Sequence, residues 1–214
     1  TSTFVGQVAD MTPYGKQVHG KKEIRKEMSL IAMAHRSAYV LQGAISNMTH
    51  LIEGYIDGLN SHRPAVFNIY SVCQPEHGVA DDAATKQSKL AVESRAYPLF
   101  KFDPDLGDSF EECATLAGNP VIKDDWPNYK MEYLNEAGEV ETMDHDLTFA
   151  DFALTEGRFR KHFHTVSADK WSDKMIPLTE FLDMAEEDKA GLFPYIWGVD
   201  KENHLMRVLV SAEI

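Results

Sequence analysis

A single thiol stands directly after an apolar run in the stretch YSVCQPEHG, residues 70–78. The preceding run, PAVFNIYSV, has the length and apolar character of a central strand that is covered on both faces. Pro75 and Gly78 make the next segment an irregular loop. A thiolate at a strand tip can ligate a metal or act as a nucleophile, with His77 as the nearest candidate base. Cys73 is therefore a candidate ligand or reactive group, and packing in the core is the alternative reading.

The elements that would position Cys73 alternate between helix and strand. Residues 22–36, 46–61 and 82–96 carry helical patterns, whereas residues 38–45, 65–72 and 97–104 read as strands. This order with short connections predicts an α/β fold, an open, mainly parallel sheet with flanking helices. Ligands gather at the carboxyl ends of the strands in such a sheet, and the loop after Cys73 would lie there.

The pattern changes beyond Pro104. A hairpin with the turn NEAGE, two short helices and a closing pair of strands joined by DKEN follow. We therefore place a boundary near residue 104 and describe residues 105–214 as an acidic α+β extension. The chain also starts at Thr1 without a methionine, so we expect it to be a piece of a longer polypeptide.

Charge and composition exclude several classes of function. Residues 103–190 carry 8 Lys or Arg against 22 Asp or Glu, a block that repels phosphate backbones and argues against nucleic-acid binding. A solvated surface is the simple explanation of the block, and docking of a basic partner is the alternative. No apolar run reaches the length of a membrane span and no signal peptide is recognisable, so we expect a cytoplasmic protein without membrane contact.

Five blocks of sequence, taken in order, resemble one known family. They are STFVGQ (2–7), MTPYG (11–15), GKKEIRKEMSLIAMAH (20–35), AVFNIYSVC (65–73) and KQSKLAVESRAYPLFKFDP (86–104). They are similar to the SNTGGQ loop, TPxG element, GKKD helix start, AYxxC strand end and GYWPLFRYDP segment of pyruvate:ferredoxin (flavodoxin) oxidoreductases. The resemblance covers about half of the chain. It implies that residues 1–104 are the C-terminal part of a thiamine-diphosphate-binding domain.

The resemblance also assigns roles to individual residues. Cys73 would supply one ligand of a 4Fe-4S cluster, whose other three cysteines belong to upstream sequence in that family. Ser2, Thr3, Gly6 and Gln7 would line the thiamine and substrate site, with Thr3 as the catalytic position. The chain departs from the family's loop at Thr3, Phe4 and Val5, where Asn, Thr and Gly stand, which leaves open which 2-oxoacid is the substrate.

The implied function is oxidative decarboxylation of a pyruvate-like 2-oxoacid to an acyl-CoA. Thiamine diphosphate with Mg²⁺ would carry the chemistry, and electrons would leave through iron-sulfur clusters to ferredoxin or flavodoxin. The partners would be the remaining domains or subunits, the 2-oxoacid and coenzyme A, in a homo-oligomeric parent protein. A cluster needs about four thiolates, so this chain alone should hold none. The alternative is a non-catalytic α/β docking or assembly module derived from the same family.

A weaker candidate for metal binding lies in the second half of the chain. The HFH stretch at 162–164 and the DHD stretch at 144–146 together contain the residue types of a zinc or iron site. Neither spacing is diagnostic, so a surface cluster of polar residues is the favoured interpretation.

Overall fold

The computed structural model describes residues 4–8, 20–121, 123 and 126–211. These residues divide into two compact units. The first unit comprises residues 24–121 and 123, and the second comprises residues 4–8, 20–23 and 126–211. The predicted boundary near residue 104 falls inside the first unit, and the assignment of residues 1–104 to a cofactor domain stays a prediction.

The first unit is an open sheet with helices on its faces. Its elements are α1 (Met28–Ala34), β1 (Tyr39–Ala44), α2 (Met48–Asn60), β2 (Ala65–Tyr70), α3 (Gln74–His77), α4 (Ala84–Glu93), β3 (Phe100–Phe102), α5 (Phe110–Cys113) and β4 (Ala114–Thr115). The strand order is β2-β1-β3-β4, and all six residues of β1 are buried. Val40 of β1 packs with Phe100, Phe102, Cys113 and residues of α1. The predicted α/β class is confirmed.

The direction of β3 differs from the mainly parallel order that the sequence suggests. β1 and β2 pair in parallel, whereas β3 runs antiparallel to β1 and β4 antiparallel to β3. The chain enters β3 beside the carboxyl half of β1, because Phe100 pairs with Gln42 and the Gln42 amide donates to the Pro98 carbonyl at 2.8 Å. A strand that starts beside the carboxyl end of β1 and pairs with it runs in the opposite direction to β1.

Helix α2 lies on the sheet with an unexpected face. Its buried residues are His50, Gly54 and Gly58. A Cβ atom on Gly54 would stand 2.4 Å from Leu41 Cδ1, so the glycine lets the helix approach the sheet closely. The apolar stripe of this helix, formed by Met48, Ile52, Ile56 and Leu59, is consequently exposed.

The second unit consists of a mixed sheet, a separate hairpin and short helices. Its elements are the hairpin β5 (Asn128–Leu134) and β6 (Val140–Asp146), α6 (Phe149–Leu154), a 3-10 helix (Gly157–His162), β7 (Phe163–Val166), a second 3-10 helix (Ala168–Lys170), β8 (Met175–Pro177), α7 (Leu178–Asp183), β9 (Phe193–Val199) and β10 (Leu205–Val210). The sheet order is β7-β10-β9-β8. Both hairpins expected from the sequence are present, β5–β6 and β9–β10. A capping box of Thr148 and Asp151 starts α6.

None of the helices in the described part of the chain is long and apolar enough to span a lipid bilayer.

Candidate cluster-ligand and cofactor-segment sites

Cys73 lies just after the end of a strand, as the sequence predicts. β2 ends at Tyr70, and Cys73 is the exposed residue that precedes the short helix α3. The His77 amide donates to the Cys73 carbonyl at 2.9 Å, and Gly78, with φ 67°, ends the helix in the left-handed region. Because β1 and β2 are parallel, Cys73 stands at the carboxyl edge of the sheet. The thiol is thus presented on a turn that is fixed at both ends.

The two cysteines have different environments. Cys113 is buried in the core beside Val40 and Phe102, and its Sγ donates to the Gly107 carbonyl at 3.2 Å. It therefore packs, whereas Cys73 is accessible. Within the residues that the structure describes, no three His, Cys, Asp or Glu side chains come together as a metal-binding group. The expectation that Cys73 is a cluster ligand stays a prediction.

A partly buried polar network connects the elements below this edge. The Asn68 amide donates to Ser29 Oγ at 2.8 Å and to Gln42 Oε1 at 3.3 Å, which connects β2, α1 and β1. His50 Nε2 donates to the Gln42 carbonyl at 3.1 Å, and burial lowers the pKa of His50. Neither amide lies in a recognisable motif, so sequence reasoning missed this network.

A cavity of about 550 Å³ opens where β1 passes into α2. Residues 46–50 form one wall, and Glu53, Lys101 and Thr115 contribute polar side chains. Lys101 Nζ lies 2.9 Å from Asp57 Oδ2, so its charge is already paired. Sequence reasoning missed this cavity because Lys101 reaches it only through the antiparallel placement of β3.

Only part of the predicted cofactor segment can be located. Ser2 and Thr3 lie outside the described residues, whereas Gly6 and Gln7 belong to the second unit. The Gly6 amide donates to the Lys21 carbonyl at 2.8 Å, and the Lys21 amide donates to the Gln7 carbonyl at 3.0 Å. Gly6 has φ 79°, and a Cβ atom on Gly20 would stand 2.1 Å from the Gly6 oxygen. Two glycines therefore allow the two backbones to touch.

Side chains of the second unit hold the same segment. His162 Nε2 donates to the Gly6 carbonyl at 2.7 Å, and His162 Nδ1 lies 2.8 Å from Ser211 Oγ. The Val8 amide donates to the Arg158 carbonyl at 3.0 Å, and Arg158 forms a buried ion pair with Glu156. The segment is consequently fixed from several directions by residues far along the sequence.

The departures from the family's loop can be placed on this segment. Phe4 is buried, with its ring centroid 5.8 Å from those of Phe149 and Phe152, whereas Val5 is exposed. Gln7 is also buried, and its Oε1 accepts from the Phe4 amide at 3.2 Å. Phe4 therefore packs within its own unit.

The alternative zinc or iron site receives no support from the geometry. His162 contacts Gly6 and Ser211 as described above, and His145 Nε2 lies 2.6 Å from Asp151 Oδ1 in a buried pair. Two of the imidazoles that the sequence offered as metal ligands, those of His145 and His162, are thus hydrogen-bonded within the second unit. These two side chains have structural roles.

Comparison with known proteins reveals related sequences over part of the chain. Pyruvate synthase subunit PorB of Thermotoga maritima is 29% identical over 102 residues, which are 48% of this chain and 32% of PorB. Pyruvate-flavodoxin oxidoreductase of Rhodospirillum rubrum is 33% identical over 106 residues, 46% of this chain and 9% of that protein. PorB of Pyrococcus horikoshii is 23% identical over 163 residues, 76% of this chain and 46% of PorB.

The matches leave much of these relatives uncovered, since the chain spans about a third of the first one and less than half of each. No protein-family model matches the chain. The resemblance that the five ordered blocks indicate is nevertheless confirmed, because this chain is related in sequence to pyruvate synthase PorB subunits and pyruvate-flavodoxin oxidoreductases.

Proposed function

We propose that this chain is part of a thiamine-diphosphate-dependent oxidoreductase of the cytoplasm that oxidatively decarboxylates a pyruvate-like 2-oxoacid. The acyl group passes to coenzyme A, and the electrons leave through iron-sulfur clusters to ferredoxin or flavodoxin. The relatives' names support the pyruvate oxidoreductase role. The remaining domains or subunits of the parent protein, a homo-oligomer in this proposal, complete the active site.

The observation that carries the proposal is the accessible thiol at the end of a parallel strand. Cys73 is exposed on a fixed turn at the sheet edge where α/β proteins bind ligands. A 4Fe-4S cluster takes about four thiolates. Cys113, the other cysteine, is buried and hydrogen-bonded to the Gly107 carbonyl. Cys73 therefore fits as one ligand, and the parent protein supplies the other three.

The cofactor segment fits the proposal in a more limited way. Thiamine diphosphate with Mg²⁺ supplies the electron sink for decarboxylation when it is bound. The Gly6 carbonyl and the Gln7 side chain already have partners within the second unit. We propose that Gly6 and Gln7 contribute to the cofactor site by setting the backbone of the segment. Ser2 and the catalytic Thr3, which lie outside the described residues, would face cofactor and substrate.

The ligand role of Cys73 can be tested in the complete parent protein. Cys73→Ser should abolish or alter the electron paramagnetic resonance signal of one reduced 4Fe-4S cluster, because a hydroxyl replaces a thiolate ligand. Cys113→Ser is the matched control, since a serine hydroxyl can donate to the Gly107 carbonyl in the same way. An unchanged signal in Cys73→Ser would exclude the residue as a ligand.

The sequence of the parent gene separates this proposal from the docking-module alternative. In the family that the five blocks resemble, a diphosphate-binding GDG motif and the three further cysteines precede the segment that matches this chain, so the enzymatic role requires both upstream of Thr1. A parent sequence that lacks them would refute the enzymatic role and leave a non-catalytic member of the family.

A further inference from the structure

A second cavity, of about 520 Å³, lies within the second unit beside α6 and α7. Trp126, Phe149 and Phe181 give it aromatic walls, and Leu182 adds an aliphatic side chain. Small-molecule sites in proteins are commonly cavities of about 300–1,000 Å³ with mainly apolar walls and a few polar groups. The volume and the lining of this cavity are those of such a site.

The inner walls of the cavity belong to the packed core of the unit. Ala150 and Val210 line it and are buried, and Leu178 packs against them. The ring of Phe149 is held by Phe152 at a centroid distance of 5.8 Å. The cavity is therefore formed by side chains that the fold already fixes, so a ligand would not have to order them.

Two hydroxyl groups of the lining have partners inside the protein. Thr148 Oγ1 donates to Asp151 Oδ2 at 2.8 Å, and Ser211 Oγ lies 2.8 Å from His162 Nδ1. A ligand would have to break these hydrogen bonds to use the hydroxyls. The inner part of the cavity consequently offers apolar contact, which favours a ligand with an apolar body.

Lys189 brings a cation to the rim of the cavity. Its side chain is 17% exposed, and its Nζ lies 5.4 Å from the centre of the Phe181 ring. Backbone hydrogen bonds form the turn that carries it, since the Asp188 amide donates to the Ala185 carbonyl at 2.9 Å and the Leu192 amide to the Lys189 carbonyl at 3.1 Å. The ammonium group is thus held next to an aromatic wall.

The charges at the rim favour an anionic group on the ligand. Glu186 pairs with Lys189, with its Oε1 2.7 Å from Nζ, but the Glu186 side chain is 91% exposed and water screens its charge. An ammonium group has three N–H donors, and Glu186 is the one ion-pair partner that Lys189 has among the described residues. Lys189 can therefore donate to a second carboxylate at the rim.

We propose that this cavity binds an unbranched fatty acid of about ten carbons, with its chain against the apolar walls and its carboxylate at Lys189 Nζ. A water-sized group takes about 30 Å³, so the cavity has room for roughly fifteen such groups, enough for this chain and its carboxylate. The site uses none of the residues proposed for the cluster or the cofactor, so it is independent of the proposed enzymatic function.

Isothermal titration calorimetry of the 214-residue chain with decanoate tests the proposal. Decanoate should bind with a negative heat-capacity change and about tenfold more tightly than decanol, because decanol has no carboxylate for Lys189. Lys189→Met should raise the dissociation constant of decanoate about tenfold and leave that of decanol within about twofold. Lys170→Met is the matched control, because Lys170 is exposed and lies outside the cavity, and it should change neither constant.

A second pair of variants tests the apolar wall. Leu182→Glu puts a carboxylate on the wall and should weaken both decanoate and decanol about tenfold. Val140→Glu is the control, because Val140 is 69% exposed on the β5–β6 hairpin outside the cavity. Circular dichroism would establish that each variant is folded.

Several results would overturn the proposal. A wild-type chain that binds no decanoate at about 1 mM would show that the cavity is not a fatty-acid site. Equal affinity for decanoate in Lys189→Met and the wild type would exclude Lys189 as the carboxylate's partner. Decylammonium that binds more tightly than decanoate would show that Glu186, rather than Lys189, sets the charge preference of the rim.

Discussion

Replacing Gly20 by alanine should release the predicted cofactor segment from its own unit. Gly20 has φ 115°, a conformation that costs an L residue about 1–3 kcal/mol. The new Cβ would stand 2.1 Å from the Gly6 oxygen, so the two backbones would have to separate. Separation breaks the two hydrogen bonds between Lys21 and the segment, at about 1 kcal/mol each. The expected loss in the free energy of unfolding is about 3–5 kcal/mol.

The assay for this loss can be confined to the second unit. All three tryptophans, Trp126, Trp171 and Trp197, belong to that unit, so the urea midpoint followed by tryptophan fluorescence reports on it. Gly138→Ala is the control, because Gly138 also has a positive φ of 78° but nothing within 4 Å of a new Cβ. If Gly20→Ala costs no more than Gly138→Ala, the close approach to Gly6 contributes nothing and the reasoning fails.

Three further changes have expected outcomes. His162→Phe removes the donor to the Gly6 carbonyl and should lower the free energy of unfolding by about 1–3 kcal/mol, measured by tryptophan fluorescence; an unchanged urea midpoint would contradict this role. Gly54→Ala places a Cβ atom 2.4 Å from Leu41 Cδ1, so overpacking of about 1–3 kcal/mol should outweigh the gain of about 1 kcal/mol in helix propensity; far-ultraviolet circular dichroism should show lower stability. Burial lowers the pKa of His50 below its ordinary value of 6.5, so the unfolded chain binds the proton first and stability falls as pH drops through that range. His50→Gln should make the urea midpoint depend less on pH between 7.5 and 5.5. The same pH dependence in the variant and the wild type would contradict this role of His50.

The local sequence was sufficient for the α/β class and for the position of Cys73. An uninterrupted apolar run followed by Pro75 and Gly78 predicts a strand with a turn behind it, and the structure has both. The expectation of a central strand covered on both faces was wrong, because β2 lies at the edge of its sheet and is half-buried, whereas β1 is the central, buried strand. Strand length and turn residues are short-range properties, so they can be read within about ten residues. The same holds for the hairpin of β5 and β6, which the turn sequence NEAGE predicts.

Long-range contacts decided the direction of β3 and the orientation of α2. Alternation of helix and strand favours a parallel order, but the contact of Gln42 with Pro98 starts β3 at the opposite end. The apolar stripe of α2 would ordinarily face the core, yet Gly54 and Gly58 permit the closer packing. Helical periodicity identifies an apolar face without saying what covers it.

The candidate sites also divide into what the local sequence indicates and what long-range contacts decide. The identities of Cys73, Gly6 and Gln7 as site residues came from ordered sequence blocks, and their roles toward a cluster and a cofactor remain proposals. No pattern in the sequence connects Gly6 with His162, since 156 residues separate them. The sequence by itself determined the secondary-structure elements and the residue types available for binding or catalysis, because these depend on neighbouring residues. Only the tertiary structure decided which distant side chains hold that chemistry in place, because hydrogen bonds across the fold form only once the chain has packed.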